Sequence, residues 1–138
     1  MKRFLLLLFT LSLLASVNSC NKDDGPNFHF APLRITSAEL PDAFELNQTY
    51  QITVTYDIPD GCTSYSGFDV TDSDTTVRNV VVFGTVRTDL DGCTLALTEG
   101  QASFNFICLY NQPYVFRFWQ ADANSEEEEY FEVVVPVN

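Results

Sequence analysis

The sequence predicts an all-β fold: an antiparallel, two-sheet, immunoglobulin-like sandwich of about seven strands. Apolar and polar residues alternate along several segments, and turn-forming residues separate these segments. No convincing amphipathic helix is present. Alternation favours antiparallel sheets with one buried face, because strands of parallel sheets are apolar on both faces. A jelly roll or a small barrel is the alternative architecture.

The first two strands of the body are expected at residues 34–40 and 48–58. Pro41 and Asp42 end the first strand. The second alternates apolar and polar side chains at every position from Tyr50 to Ile58, which is the pattern of a half-buried strand.

The middle of the chain predicts a shorter strand at 66–71 and a long β-branched strand at 76–88. Gly61 and Gly92 mark turns just before two cysteines. Leu95 and Leu97 are expected to add a short strand.

Three alternating segments complete the body, at residues 102–108, 114–118 and 131–137. Turn-like residues at 111–113 and 122–127 join them. These three strands are therefore predicted to form an antiparallel meander.

The start of the chain predicts a signal peptide at residues 1–19. Lys2 and Arg3 precede an apolar run, Phe4–Val17, that is too short to span a membrane. The segment Val17-Asn18-Ser19-Cys20 resembles the lipobox of bacterial lipoproteins. That resemblance implies that Cys20 is lipidated on sulfur and becomes the mature N-terminus. A cleaved signal followed by an incidental cysteine is the alternative.

The residues after Cys20 resemble a sorting signal. Lys22-Asp23-Asp24 resembles the export signal of Bacteroidota lipoproteins, which implies an outer-membrane lipoprotein displayed on the cell surface. Residues 20–32 include Asn, Lys, Asp, Gly and Pro and are expected to be a flexible tether without an apolar period. Residues 33–138 are then one β-sandwich domain, large enough to bury a single core. With its lipid anchor, the domain needs no hydrophobic membrane surface of its own.

The charge of the chain restricts its partners. Residues 1–19 carry two positive charges and no acid, so their removal changes the formal net charge from −12 to −14. Such a domain repels phosphate backbones, so no nucleic-acid partner is expected. Cations or basic protein surfaces are compatible with it. His29, the only histidine, lies in the predicted tether and is expected to be solvated.

Three cysteines remain in the body, and export places them where disulfides persist. Cys62 and Cys93 lie in matching Gly-Cys-Thr junctions at strand ends, which favours a bond between them. A bond between Cys62 and Cys108, like the inter-sheet bridge of antibody domains, is the alternative. Cys108 shares a face with Phe104 and Phe106, which alternation assigns to the core.

No catalytic residue, metal ligand or cofactor is assigned. Asp69, Asp72 and Asp74 could hold Ca²⁺, but their spacing is not that of an EF-hand, and acidic loops are commoner than calcium sites. No cysteine has a basic partner nearby in sequence. The domain is therefore expected not to be an enzyme.

Exposed rings are candidates for stacking on sugars, and here these are Trp119, Tyr65 and Tyr110. Trp119 falls on the opposite strand face from the neighbouring phenylalanines, and the two tyrosines lie at loop edges. A lone tryptophan in a sandwich is also typical of a core or its rim. Tyr114 falls in the core register.

A modification site is expected at Thr75. Asp74-Thr75-Thr76 resembles the site at which exported Bacteroidota proteins are O-glycosylated, and it lies in an acidic segment.

The body as a whole resembles small uncharacterised surface lipoproteins of Bacteroidota. The segments that carry this resemblance are Leu40-Pro41, Tyr50–Tyr56, Gly67-Phe68-Asp69, Ala102–Phe106 and Tyr114–Gln120, together with Cys62 and Cys93. The resemblance implies a single sandwich domain, favours the Cys62–Cys93 bond and implies no activity. The expected function is a lipid-anchored binding or accessory module whose partner is an unknown envelope protein or extracellular ligand. A glycan-binding module of a nutrient-uptake system is the alternative.

Overall fold

The protein is described by a computed structural model that covers residues 27–121 and 127–138. Within these ranges the chain forms strands and no helix, which confirms the all-β prediction. The eight strands are β1 (Phe28–Leu33), β2 (Ile35–Glu39), β3 (Thr49–Ile58), β4 (Thr63–Asp74), β5 (Val77–Arg87), β6 (Thr98–Ile107), β7 (Tyr114–Trp119) and β8 (Tyr130–Val135).

Two sheets pack face to face. One is three-stranded, in the order β2-β3-β6, and its pairs are antiparallel. The other is built around β5. Strand β4 pairs along one edge of β5, while β7 and β1 share the other edge, with β7 beside Val77–Val80 and β1 beside Val82–Arg87. Strand β8 lies outside β7. The predicted two-sheet sandwich is thus present, and its immunoglobulin-like strand order stays a prediction.

The meander predicted for the last three segments is wrong. Strand β6 pairs with β3 in the smaller sheet, so the connection at 108–113 crosses to the larger sheet, where β7 and β8 are antiparallel neighbours. The β5–β7 pair is parallel, so the sheets are not antiparallel throughout. Alternation identifies the buried face of a strand, but it does not select the neighbouring strand.

Two other segments differ from expectation. Residues 28–32, placed in the tether by their composition, belong to β1, which pairs with β5 over Phe28–Leu33. Pro32 is tolerated there because β1 has β5 as its one described partner and therefore lies at a sheet edge. Leu95 and Leu97 form no strand and lie in the connection between β5 and β6.

The core fills the space between the inward faces of both sheets. Phe44, in the β2–β3 connection, is fully buried at its centre. Its ring centroid lies 4.8 Å from that of Tyr50, 5.0 Å from that of Phe106 and 6.0 Å from that of Phe116. The chain end holds it in place, because Phe44 N–H donates to the Pro136 carbonyl at 2.8 Å. This residue therefore ties both sheets and the C-terminal segment into one core.

The predicted core positions of Cys108 and Tyr114 are confirmed, since both side chains are fully buried. The Cys108 thiol donates to the Tyr110 carbonyl over 3.4 Å, and burial raises its pKa. Trp119 pairs with Tyr130 at the end of β7 and is buried rather than exposed.

Replacing Phe44 by alanine should lower the free energy of unfolding by about 3–5 kcal/mol, because the cavity would open where both sheets meet. Urea denaturation measures this change. Phe28→Ala is the matched control: that ring is half exposed at the sheet edge, and the change should stay near 0.5 kcal/mol or below. Equal losses in the two variants would contradict this account of the core.

Candidate functional site

The sandwich has two ends, and each presents apolar side chains to solvent. The connections that build them are joined by backbone hydrogen bonds and, at one end, by a disulfide. The near end comprises Asn27, residues 59–62 and residues 88–97. The far end comprises residues 45–48, 74–77 and 108–113.

Strand β5 sets the distance between the ends. It starts at Val77 beside the far-end hairpin and finishes at Arg87, where the near-end connection begins. Its ten residue-to-residue steps at about 3.3 Å each give a separation of about 33 Å. A ligand or partner bound at one end therefore does not reach the other end unless it is long.

A disulfide holds the near end. Cys62 and Cys93 are bonded, with 5.4 Å between their Cα atoms, which confirms the predicted pair. The alternative bond to Cys108 does not form, because that thiol is free and buried. The bond fastens the 88–97 connection to the start of β4.

Glycines beside both cysteines make this junction possible. Gly92 has φ of +86°, a left-handed conformation that a side chain would strain. A Cβ atom at Gly61 would collide with the Thr94 hydroxyl. The close approach lets Gly61 N–H donate to the Thr94 carbonyl at 2.9 Å. The turns that the sequence predicted at these glycines are therefore where the two connections meet.

Three leucines of the same loop are exposed. Leu95 has 93% of its surface in solvent, Leu97 has 66% and Leu90 has 45%. The start of the loop is held by Arg87, whose guanidinium donates to both Asp89 carboxylate oxygens at 2.9 and 2.6 Å. These bonds lower the pKa of Asp89. The result is a constrained loop with apolar side chains on its surface.

An open cavity of about 320 Å³ lies between β1 and the β3–β4 turn. His29, Asp60 and Thr63 contribute its polar groups. One Asp60 carboxylate oxygen accepts from Cys62 N–H at 2.9 Å and from the Thr63 hydroxyl at 2.8 Å. Asp60 therefore stabilises the turn that carries the disulfide. His29, expected to be solvated, is exposed on β1.

The far end carries a second apolar surface, which we call the far-end patch. It consists of Leu46, Ile107, Leu109 and Tyr110, all exposed. Its two segments are adjacent, because Asn47 N–H donates to the Cys108 carbonyl at 2.6 Å and Cys108 N–H donates to the Gln48 carbonyl at 3.0 Å. Asn47 has φ of +63°, which turns the chain back toward β3.

Tyr114 organises the connections around this patch from within the core. Its hydroxyl oxygen accepts from the N–H groups of Leu109 and Tyr110, both at 3.1 Å. The Arg78 guanidinium lies 5.3 Å from the centre of the Tyr114 ring and 2.9 Å from an Asp72 oxygen. One buried ring thus orders the 108–113 connection and anchors the arginine beneath the β4–β5 hairpin.

That hairpin contains the predicted O-glycosylation site. Thr75 is exposed at its tip, and its N–H donates to the Asp74 carboxylate at 2.7 Å. The hydroxyl is therefore on the surface of the far end. Glycosylation of Thr75 stays a prediction.

The three aromatic candidates for glycan contact are not brought together. Tyr65 lies opposite Gly84 in the near half of β4 and stacks on Tyr56, with centroids 5.6 Å apart. Tyr110 belongs to the far end. Trp119 is 8% exposed, so little of its ring is open to a sugar. The structure offers single exposed tyrosines rather than a shared platform.

The residues that predict lipidation and export, Cys20, Lys22, Asp23 and Asp24, lie outside the described residues. Within residues 27–121 and 127–138, no group of three or more His, Cys, Asp or Glu side chains is placed to hold a metal ion. No helix in these ranges is long and apolar enough to cross a membrane.

Sequence reasoning did not identify the leucines of either end as a surface. Leu46 and Leu109 lie in connections, and Leu95 and Leu97 resembled a strand. The available signal was the presence of apolar residues next to turn-forming ones, as in Asp91-Gly92-Cys93-Thr94-Leu95.

Comparisons with protein-family models, with curated proteins and with solved structures found no match.

Replacing both Cys62 and Cys93 by serine should lower the free energy of unfolding by roughly 3–4 kcal/mol, because the unfolded chain regains the freedom that the crosslink removes. Amide hydrogen exchange over residues 88–97 should also become faster, since the loop loses its covalent attachment. Cys108→Ala keeps the disulfide and is the control, with unchanged exchange in this loop. Unchanged exchange in the double variant would show that the disulfide does not constrain the loop.

Proposed function

We propose that this chain is a lipid-anchored, surface-displayed binding module that acts without catalysis. Cys20 carries the lipid, and residues that follow it direct the protein to the outer face of the outer membrane. The far-end patch is the surface that meets a partner protein. The observation that carries this proposal is the position of that patch, at the opposite end of the sandwich from the tether.

The position of the tether supports an outward orientation of the patch. The described chain starts at the near end, where the Asn27 carbonyl accepts from Thr88 N–H at 2.8 Å and from the Thr88 hydroxyl at 3.1 Å. Seven residue-to-residue steps lead from Cys20 to Asn27, and fully extended they reach at most about 25 Å. An anchor at Cys20 would therefore keep the near end close to the membrane and leave the far end about 33 Å farther out.

The chemistry of the far end supports a protein partner. Exposed apolar side chains with polar surroundings are typical of the centre of an interface. Glu45 and Asp74 are exposed at the same end, and the mature chain is strongly acidic. A partner with an apolar centre and a basic rim would match this surface and would be attracted to it.

Polar groups that could otherwise suggest catalysis have structural contacts. Asp60 accepts hydrogen bonds from the turn at Cys62 and Thr63, and Arg78 pairs with Asp72. Cys108 is buried and its pKa is raised, which keeps it as a thiol. These contacts support a non-catalytic module.

Glycan binding is the second candidate, and Tyr110 favours it. This ring is exposed within the far-end patch, where it could stack on a sugar. The separation of Tyr65 and Trp119 from Tyr110 leaves one ring for that role, which is why a protein partner is preferred.

Replacing Cys20 by alanine should release the protein from the membrane fraction, because lipidation requires the sulfur and anchoring depends on the acyl chains. Fractionation followed by a salt wash measures this. Cys108→Ala is the matched control and should stay in the membrane fraction. Retention of the Cys20→Ala protein would refute the anchor, as would an N-terminal peptide without fatty-acid mass.

A photo-activatable residue at Tyr110 should crosslink to a discrete protein on intact cells, because that side chain lies in the proposed interface. The control position is Val134, which is also exposed but lies on the outer face of the larger sheet. Loss of the Tyr110 adduct in Leu109→Asp would assign it to the patch. Equal adducts at both positions, or none at Tyr110, would count against this interface.

The glycan alternative is tested by isothermal titration of the protein with sugars. Heat of binding that is abolished in Tyr110→Ala would favour that alternative.

A further inference from the structure

The near-end loop has a feature that the far-end patch does not explain. Three leucines lie within eight residues, and Leu95 has 93% of its surface in solvent. Single exposed leucines are common on protein surfaces, but several together in one loop mark a contact surface. Removal of their apolar area from water would stabilise such a contact.

The loop is held so that these side chains stay exposed. The Cys62–Cys93 bond, the Gly61–Thr94 hydrogen bond and the Arg87–Asp89 ion pair attach it at three points. A segment constrained in this way loses little conformational entropy when it meets another surface. The leucines are therefore presented to something outside the domain.

The start of the described chain lies at the same place. Asn27 accepts two hydrogen bonds from Thr88, the first residue of the loop. Phe28 and Phe30, which follow it on β1, are also exposed and contact each other edge to face, with centroids 5.6 Å apart. Residues 88–97, which we call the leucine loop, and these two rings thus lie close to Asn27, from which the chain leads back to Cys20.

We propose that the leucine loop rests on the lipid bilayer that holds the anchor, with Leu90, Leu95 and Leu97 in its interfacial layer. The inference rests on the proposed anchor at Cys20, since seven residue-to-residue steps keep the near end within about 25 Å of the lipidated cysteine. At that range the bilayer is at high effective concentration, so a weak contact is sufficient. The contact orients the domain with its far end outward.

The charge of this end indicates which lipids suit it. Asp91 and Glu99 are exposed beside the leucines and would repel anionic head groups. Asp89 adds little repulsion because Arg87 neutralises it. The contact is therefore with uncharged or zwitterionic lipid and depends on apolar side chains rather than on basic residues.

Tryptophan fluorescence in vesicles tests the contact. The lipidated full chain carrying Leu95→Trp is reconstituted into phosphatidylcholine vesicles, with or without bromine on the acyl chains near the head group. The matched control is Leu109→Trp in the far-end patch. Trp119 is the only natural tryptophan, so the wild-type signal is subtracted from both variants. Both positions are exposed, and equal thermal midpoints would show that the fold is retained.

The expected result is loss of the added Leu95→Trp fluorescence in brominated vesicles, with a shift to shorter wavelength, and no loss for Leu109→Trp. Absence of quenching at Leu95→Trp overturns the proposal. A shift to shorter wavelength without quenching also overturns it, because the loop would then contact protein rather than lipid.

Vesicle flotation of the wild-type chain separates the bilayer contact from the anchor. A chain that floats but shows no quenching refutes the bilayer contact alone, whereas a chain that does not float refutes the anchor as well.

Discussion

The pairing of β5 along both of its edges is the constraint on which the rest of the structure depends. Strand β4 pairs with one edge of β5 from Val77 to Val86. Along the other edge, β7 pairs with Val77–Val80 and β1 pairs with Val82–Arg87. The inward side chains Val80 and Val82 are fully buried against the smaller sheet. Because β5 connects the far-end hairpin to the near-end loop, its length sets the distance between the two apolar surfaces. Because β1 pairs with β5 from Arg87 to Val82, the start of the described chain at Asn27 lies at the near end.

The two ends are held by different chemistry. A disulfide and two glycines fix the near end, where the 88–97 connection is long and its three leucines are exposed. At the far end, the buried hydroxyl of Tyr114 accepts two backbone N–H groups and its ring stabilises Arg78. A covalent crosslink suits a loop that cannot bury its own apolar side chains, whereas a core tyrosine suits a connection that lies directly over the core.

Acidity and exposed apolar surface act together in the proposed function. If residues 1–19 are removed as proposed, the formal charge becomes −14, which would repel anionic surfaces. Contacts with lipid or protein must then come from apolar groups in defined places. The structure has such groups at its two ends, and the proposed anchor assigns one end to the membrane and the other to a partner.

The sequence by itself determined most strands, the core positions of Cys108 and Tyr114 and the favoured Cys62–Cys93 bond. These depend on local properties: the two-residue period of a strand and the conformational freedom of glycine at Gly61 and Gly92. Only the tertiary structure decided that β6 joins β3, that β7 runs parallel to β5 and that β1 is a strand. It also left Leu95 in solvent. Strand pairing and exposure depend on residues distant in sequence, and alternation contains no information about which strand lies alongside.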